Sequence, residues 1–326
     1  MTDLKKALMA RVQPDLEAIE AALHDNLTPH LELVREVAGH ILFSGGKRLR
    51  PLLMVLSARV CGYGGNFDRT FSVIFEYLHA ATLLHDDLVD GARLRRGKPV
   101  AHTVWDNSTA VLTGDFLLAR ALSIAVRTQH HGIIEIIAGI TEEMSQGEIH
   151  QLSRIGDLGL SEADYFQIIR CKTAVLFQGA CRVSALLADA PKAEETALAD
   201  YGYHLGIAFQ IADDLLDYTA QTQALGKTVG ADLREGKLTL PVIHALAAAD
   251  EPDRQCLEAI IKNTDFSESE FQTLVGLLDK YQSLKYSTEM AAGHVAQAKA
   301  ALGFFDVSPA RETLEMIADY ALERKA

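Results

Sequence analysis

Cysteine is scarce in this chain. There are four in 326 residues (Cys61, Cys171, Cys181, Cys256), with no C-x-x-C pair, so a disulfide framework is excluded and a reducing, cytoplasmic setting fits. Basic residues are in deficit, 31 Lys and Arg against 44 Asp and Glu, and the net charge of −13 argues against a nucleic-acid partner. No apolar run stands out as long enough to span a bilayer. The opening Met1-Thr2-Asp3-Leu4-Lys5-Lys6 runs into a mixed charged and apolar pattern rather than a signal peptide. There is no Pro/Gly/Ser linker, no low-complexity tract, and no alternating strand pair joined by a turn dipeptide. The expectation is a soluble intracellular protein.

What is present is helical periodicity. Leu31, Leu33, Val34, Val37, Ala38 and Ile41 form a stripe, and so do the apolar positions of 71–89, 110–126, 133–149, 163–188 and 197–218. The cluster Ile133-Ile134-Glu135-Ile136-Ile137 has strand-like composition, but its continuation through Thr141-Glu142-Glu143-Met144 favours a helix. The eight prolines (Pro14, Pro29, Pro51, Pro99, Pro191, Pro241, Pro252, Pro309) fall where helices should start or stop. Several patterns exceed twenty residues without interior proline, as in a large bundle. The fold expected is all-α, one domain over residues 1–326.

Two acidic stretches carry the chemistry: Leu84-His85-Asp86-Asp87-Leu88-Val89-Asp90 and Ile211-Ala212-Asp213-Asp214-Leu215-Leu216-Asp217. On a helix the first and last aspartates of each share a face, with the middle one beside them. Like charges at that spacing repel by roughly 0.2–0.5 kcal/mol per pair even when solvated. Apolar flanks make the surroundings drier, so a cation must compensate, and hard oxygen ligands point to Mg2+. Lysine and arginine lie beside both motifs: Gly45-Gly46-Lys47-Arg48-Leu49-Arg50-Pro51 upstream, Arg93, Arg95, Arg96 and Lys98 after the first, Lys227, Arg234 and Lys237 after the second. Such groups suit phosphate, arginine through its planar fork and lysine as a point charge. Gly226-Lys227-Thr228 is not a P-loop, since Gln221 stands where that motif needs glycine and no strand precedes it. His85-Asp86 with His40 leaves open a helical His-Asp metal-dependent phosphohydrolase.

Taken together, Gly45 to Pro51, His79 to Asp90, Leu94 to Pro99, Gly114-Asp115, Lys172-Thr173, Phe209 to Tyr218, Gly226-Lys227 and Asp232 to Lys237 are similar to the trans-isoprenyl (polyprenyl) diphosphate synthase family, from about Gly45 to Ala247. The resemblance implies a bundle of long helices around a central active-site cavity (the isoprenoid synthase fold) and a homodimer. It implies that Asp86, Asp87, Asp90, Asp213, Asp214 and Asp217 hold Mg2+ bridging to an allylic diphosphate, which Arg95, Lys172, Lys227 and Lys237 also contact. Lys47, Arg50, His79 and Arg96 would bind isopentenyl diphosphate, and Thr173 and Gln210 would line the reacting allyl group. Gly91-Ala92-Arg93 and Leu238 depart from the usual pattern, outside the matched ligand positions.

The family resemblance also implies that the growing tail runs beside the helix ending in the first motif. Ala81, five positions before Asp86, is followed by Thr82, and small side chains there leave the tunnel open for at least another turn of about 5.4 Å. Deeper lie Leu78, Tyr77 and Ile74, with Phe116 and Leu117 as a candidate floor. The expectation is a long-chain product, hexaprenyl to decaprenyl with octaprenyl the best single choice, for quinone side chains. A short-chain (farnesyl or geranylgeranyl) synthase remains an alternative. So does a terpene cyclase, although it would normally lack the second motif, and a regulatory subunit, although its motifs would be degraded. A greasy product leaves transient membrane contact open.

Overall fold

The computed structural model describes residues 3–219 and 230–323. They are helical almost throughout, as the 3.6-residue periodicity requires. They group into two compact units, one within Met1–Thr141, Leu176–Gly202 and Ala301–Ile317, the other within Glu142–Val175, Tyr203–Ala300 and Ala318–Ala326.

In the first unit, α1 (Asp3–Asn26), α2 (Glu32–Leu42), α3 (Leu49–Val60) and α6 (Asn107–Val126) pack around α4 (Asp68–Val89). Helix α4 is buried along most of its length, from Phe71 to Leu78, then at Ala80, Ala81, Leu84 and Asp87. Pro14 departs from expectation by lying inside α1. Loss of one backbone hydrogen bond there, roughly 3 kcal/mol in an isolated helix, is outweighed by the buried stripe Leu8, Val12, Asp15, Ile19 and Leu23. Short α5 (Ala101–Val104) follows a hairpin.

That hairpin is a second departure. Strands β1 (Leu94–Arg95) and β2 (Lys98–Pro99) pair antiparallel, Leu94 opposite Pro99 and Arg95 opposite Lys98. The two turn residues, Arg96 (φ 51°) and Gly97 (φ 75°), both adopt the left-handed conformation that two-residue hairpin turns favour. Each strand is too short for an alternating pattern to register. Helix α6 is a third: by length and composition it could cross a membrane, and 39% of its apolar window is buried. Asp115 and Arg120 interrupt its apolar run, which is why no continuous stretch stands out. Its inward stripe, Ala110, Thr113, Gly114, Leu117, Ala121, Ile124 and Ala125, is small-residue rich, and α6 lies close against α4. Asp106 caps its start, accepting from the Thr109 amide at 2.9 Å.

α7 (His131–Ser153) contains the isoleucine cluster and is helical as expected. In the second unit, α8 (Glu162–Ile169) opens with a Ser161/Asp164 capping box and runs into a π-helical turn, Arg170–Ala174; α9 (Val175–Leu187), which follows, belongs to the first unit from Leu176 onward. α10 (Lys192–Thr219) carries the second acidic motif. α11 (Ala231–Arg234), α12 (Leu240–Ala248), α13 (Glu251–Lys262), α14 (Glu268–Lys280), α15 (Ser283–Leu302) and α16 (Pro309–Leu322) complete the described chain. The second unit's core joins Tyr165, Ile168, Ile207, Ile211, Leu240, Phe266 and Phe271.

Candidate active site

Helix α4 ends at the first motif for a local reason. Gly91 (φ 64°) follows Asp90 as a left-handed stop. Its amide donates to the Leu88 carbonyl (3.2 Å) and that of Ala92 to the Asp87 carbonyl (2.9 Å), the paired bonds of a Schellman motif. The unusual Gly91-Ala92 is therefore what fixes Asp90 at the helix end. Asp86 and Asp90 lie one turn apart, each partly exposed. Asp87 is 3% exposed, and Arg95 from β1 grips it: Nε donates at 2.9 and 3.0 Å to its two oxygens, and Nη2 lies 2.7 Å from Oδ1. The hairpin thus delivers Arg95 to the middle aspartate.

The glycine turn separates its cations. Arg48 adopts φ 47° as the N-cap of α3, which turns its side chain inward. Its guanidinium meets Glu20 at 2.8 and 3.1 Å, Glu76 at 2.7 Å and the Leu42 carbonyl. Burial opposes its charge, but Glu20 and Glu76 outweigh that and raise its pKa. Lys47 remains exposed, and Arg50 lies over the Phe177 ring, 4.9 Å from the centroid. A Cβ on Gly46 would stand 3.2 Å from Arg48 Nη1 and 3.5 Å from Arg96 Nη1, so the backbone approaches both guanidiniums here. His79, two helical turns before Asp86, is held far below the usual imidazole range. Burial is the main cause, followed by the positive charges of Arg50, Arg95, Arg96 and Arg48. The charges of Arg50, Arg95 and Arg96 thus all act on His79, whereas that of Arg48 is met by Glu20 and Glu76.

The tunnel candidates are placed as follows. Tyr77, Leu78, Ile74 and Ala81 are buried, Thr82 is partly buried, and the Tyr77 hydroxyl donates to the Leu23 carbonyl of α1 at 2.7 Å. On α6, Leu117 is fully buried and Phe116 partly so. The phosphohydrolase set does not assemble: His40 Nε2 donates to the Pro99 carbonyl (2.7 Å) and His85 Nε2 to that of Val111 (3.1 Å).

In the second unit, Asp214 is 5% exposed and both its oxygens are occupied. The Tyr165 hydroxyl donates to Oδ2 at 2.6 Å and Gln210 Nε2 to Oδ1 at 2.7 Å. Thr173 in turn donates to Gln210 Oε1 at 2.7 Å. Burial drives the Asp214 carboxyl well above its usual range, with Asp232 and Asp213 adding to it against the two donors. Asp217 accepts the Ala231 and Asp232 amides, both at 3.1 Å, and so anchors the start of α11. Lys172, in the π-turn, reaches Glu148 (2.6 Å) and Gln151 (2.8 Å) of α7. Lys237 pairs with Glu235 at 2.8 Å. Lys227 lies outside the described residues.

Arg48 reads in the sequence as one more phosphate-facing cation, whereas Glu20, Glu76, Tyr165, Glu148 and Gln151 carry no functional signature there beyond the i, i+3 spacing of Glu148 and Gln151. The aspartates within each motif differ in their partners: Asp87 is met by Arg95, Asp214 by Tyr165 and Gln210, and Asp217 by two backbone amides. Among the described residues, no three His, Cys, Asp or Glu side chains gather closely enough to hold a metal ion by themselves. The donor chemistry still suits Mg2+, which takes one or two carboxylates and completes its shell with water and substrate phosphate.

A family model described as polyprenyl synthetase matches residues 31–278. The chain belongs to that family. It is therefore a prenyltransferase, and its helical architecture is the isoprenoid synthase fold. The enzyme is 36% identical over 310 residues to octaprenyl diphosphate synthase of Escherichia coli (strain K12), covering 95% of this chain and 96% of that one. It is 34% identical over 313 residues to a short chain isoprenyl diphosphate synthase of Methanothermobacter thermautotrophicus, covering 95% of each. Its structure is similar to that of a polyprenyl synthase from Caulobacter crescentus CB15 complexed with calcium and isoprenyl diphosphate. That likeness has a TM-score of 0.92 at 40% identity and covers 98% of this chain and 97% of that one. Relatives making long and short products are almost equally similar, so overall likeness does not fix product length.

Proposed function

We propose that the enzyme condenses isopentenyl diphosphate successively onto an allylic diphosphate such as farnesyl diphosphate, to a long-chain product of which octaprenyl diphosphate is the favoured case. The observation that carries this is Arg95 of the hairpin clasping buried Asp87 at 2.7–3.0 Å, between Asp86 and Asp90 at the end of α4. Lys47, Arg50, His79 and Arg96 take isopentenyl diphosphate. Asp86, Asp90, Asp213 and Asp217 supply carboxylates for Mg2+, with Asp87 and Asp214 behind them. When bound, Mg2+ would neutralise diphosphate charge and make it a better leaving group.

The residues themselves do the rest. As the allylic C–O bond breaks, negative charge gathers on the departing diphosphate, and Arg95, Lys172 and Lys237 stabilise it from fixed positions, with Lys227 as a further cation. The isopentenyl double bond attacks the allylic cation, a C–C bond forms, and the adduct loses a proton to the released diphosphate. Thr173 and Gln210, hydrogen-bonded to each other, line the allyl group. No cysteine nucleophile is called for, and burial pushes the Cys61 and Cys181 thiols up to about 12.

Ala81 supports the long product by adding no bulk on α4. Exposed Leu112 and Val126 on α6 support a homodimer, since a second copy would cover them, and a monomeric mass in solution would overturn that. Long prenyl tails serve as quinone side chains. The test is incubation of purified protein with Mg2+, farnesyl diphosphate and labelled isopentenyl diphosphate, the dephosphorylated products being separated by length. One long prenol, absent with chelator, is expected. Products stopping at fifteen or twenty carbons would overturn the chain length, and no elongation would overturn the function.

A further inference from the structure

We infer that Tyr165 is a positioning residue for the second acidic motif, and that the π-turn Arg170–Ala174 exists to put it in register with Thr173. The inference rests on the reading of that motif as metal-holding. Tyr165 sits on α8 and is 3% exposed, so its hydroxyl has no water to turn to. It donates to Asp214 Oδ2 at 2.6 Å; Gln210 Nε2 donates to Asp214 Oδ1 at 2.7 Å; Thr173 Oγ1 donates to Gln210 Oε1 at 2.7 Å. Four side chains from two stretches of chain form one connected line of hydrogen bonds that converges on Asp214 from both sides, one oxygen taken by Tyr165 and the other by Gln210.

The geometry explains why the helix is interrupted. Gln210 and Asp214 are one turn apart on α10 and share a face. Their partners Tyr165 and Thr173 are eight residues apart, which on an unbroken α-helix leaves them about 80° out of phase. Between them the Val175 amide closes back on the Arg170 carbonyl, five residues earlier. A π-turn of this kind takes up one extra residue, about 100° of rotation, and brings the two side chains to within about 20° of a common direction. Gly147 on α7 leaves room for the widened turn, since a Cβ there would stand 2.6 Å from Cys171 Cβ. The same turn presents Lys172. Tyr165 therefore acts through Asp214 and Gln210, touching neither substrate.

The test is Tyr165→Phe, which deletes one oxygen and keeps the ring in the core. Losing one of the two hydrogen bonds that orient the Asp214 carboxyl should lower kcat/KM for the allylic diphosphate roughly three- to tenfold. KM for isopentenyl diphosphate should stay within about twofold. Independently of turnover, calorimetric affinity for inorganic diphosphate in Mg2+ should weaken by about tenfold. Adding Tyr165→Phe to Gln210→Leu should cost less than about twofold more, because both break the same line. Tyr165→Phe with wild-type kinetics and diphosphate affinity would overturn the inference. So would an equal loss toward both substrates, which is the mark of a general packing defect. If Tyr165→Phe does not fold, Tyr165→His, which keeps a ring donor, takes its place: diphosphate affinity and allylic kcat/KM within about threefold of wild type uphold the inference, and an equal loss toward both substrates overturns it. A wild-type enzyme that fails to elongate would instead remove the reading of the motif beneath it.

Discussion

Replacing Glu76 with glutamine tests whether the inward turn of Arg48 organises the first unit. The Arg48 side chain is 6% exposed and that of Glu76 9%, while Glu20 is 40% exposed. Breaking a buried ion pair costs roughly 3–5 kcal/mol because one charge is left uncompensated. Two things reduce that here: a glutamine oxygen still accepts from Arg48 Nη1, and Glu20 keeps its two bonds. The expected loss is therefore about 1–3 kcal/mol. For a chain of 326 residues the unfolding entropy makes each kcal/mol worth about 1.5 °C, so the melting temperature should fall by about 2–4 °C. Glu20→Gln removes the partner with more hydrogen bonds, but water can replace it, and its cost should stay below about 1 kcal/mol. Thermal melts of the three proteins side by side decide the matter. Glu20→Gln costing more than Glu76→Gln would refute the claim that burial, not bond count, sets the worth of each partner.

The histidine pair gives a pH prediction. His204 and His294 approach through their Nδ1 atoms at 2.9 Å, and burial, then His204, pushes His294 down to about 4 from 6.5. Below pH 6.5 the unfolded chain takes up a proton that the folded chain refuses, so stability falls as pH drops from 6.5 toward 4. His294→Asn should flatten that fall in urea titrations, and an unchanged slope would count against it. Ala81→Phe should shorten the product, read by chromatography of the prenols, and unchanged length would remove the basis of the tunnel reading. Gly114→Ala drives a Cβ into the His85 ring. It should cost about 1–3 kcal/mol by calorimetry, and a variant as stable as the wild type would refute the tight packing of α6 on His85.

Much of this was legible in the sequence because it depends on periodicity. The helices carrying Asp86 and Asp213 follow from apolar spacing, and the two motifs follow from aspartates set in that spacing. What stayed hidden depends on backbone conformation. Arg48 and Arg50 read as equivalent cations until a positive φ turns the first inward. The π-turn has the composition of any α-helix, so the pairing of Tyr165 with Thr173 could not be counted out by 3.6. Asp87 and Asp214 look like their neighbours in sequence, and only the tertiary partners Arg95 and Tyr165 set them apart. Pro14 reads as a helix breaker, and only the buried stripe around it, from Leu8 to Leu23, carries α1 through it.

Arg48 and Arg96 both hold a left-handed backbone that a residue with a Cβ adopts at a cost of roughly 1–2 kcal/mol. Glycine at either position would relieve that strain, and at Arg96 nothing in the core would miss the side chain. Selection for heat resistance alone would therefore favour glycine at Arg96. On the proposed role of Arg96 in holding isopentenyl diphosphate, the hairpin tip is where durability and turnover would pull in opposite directions, and a library sorted first by melting temperature would lose the better catalysts.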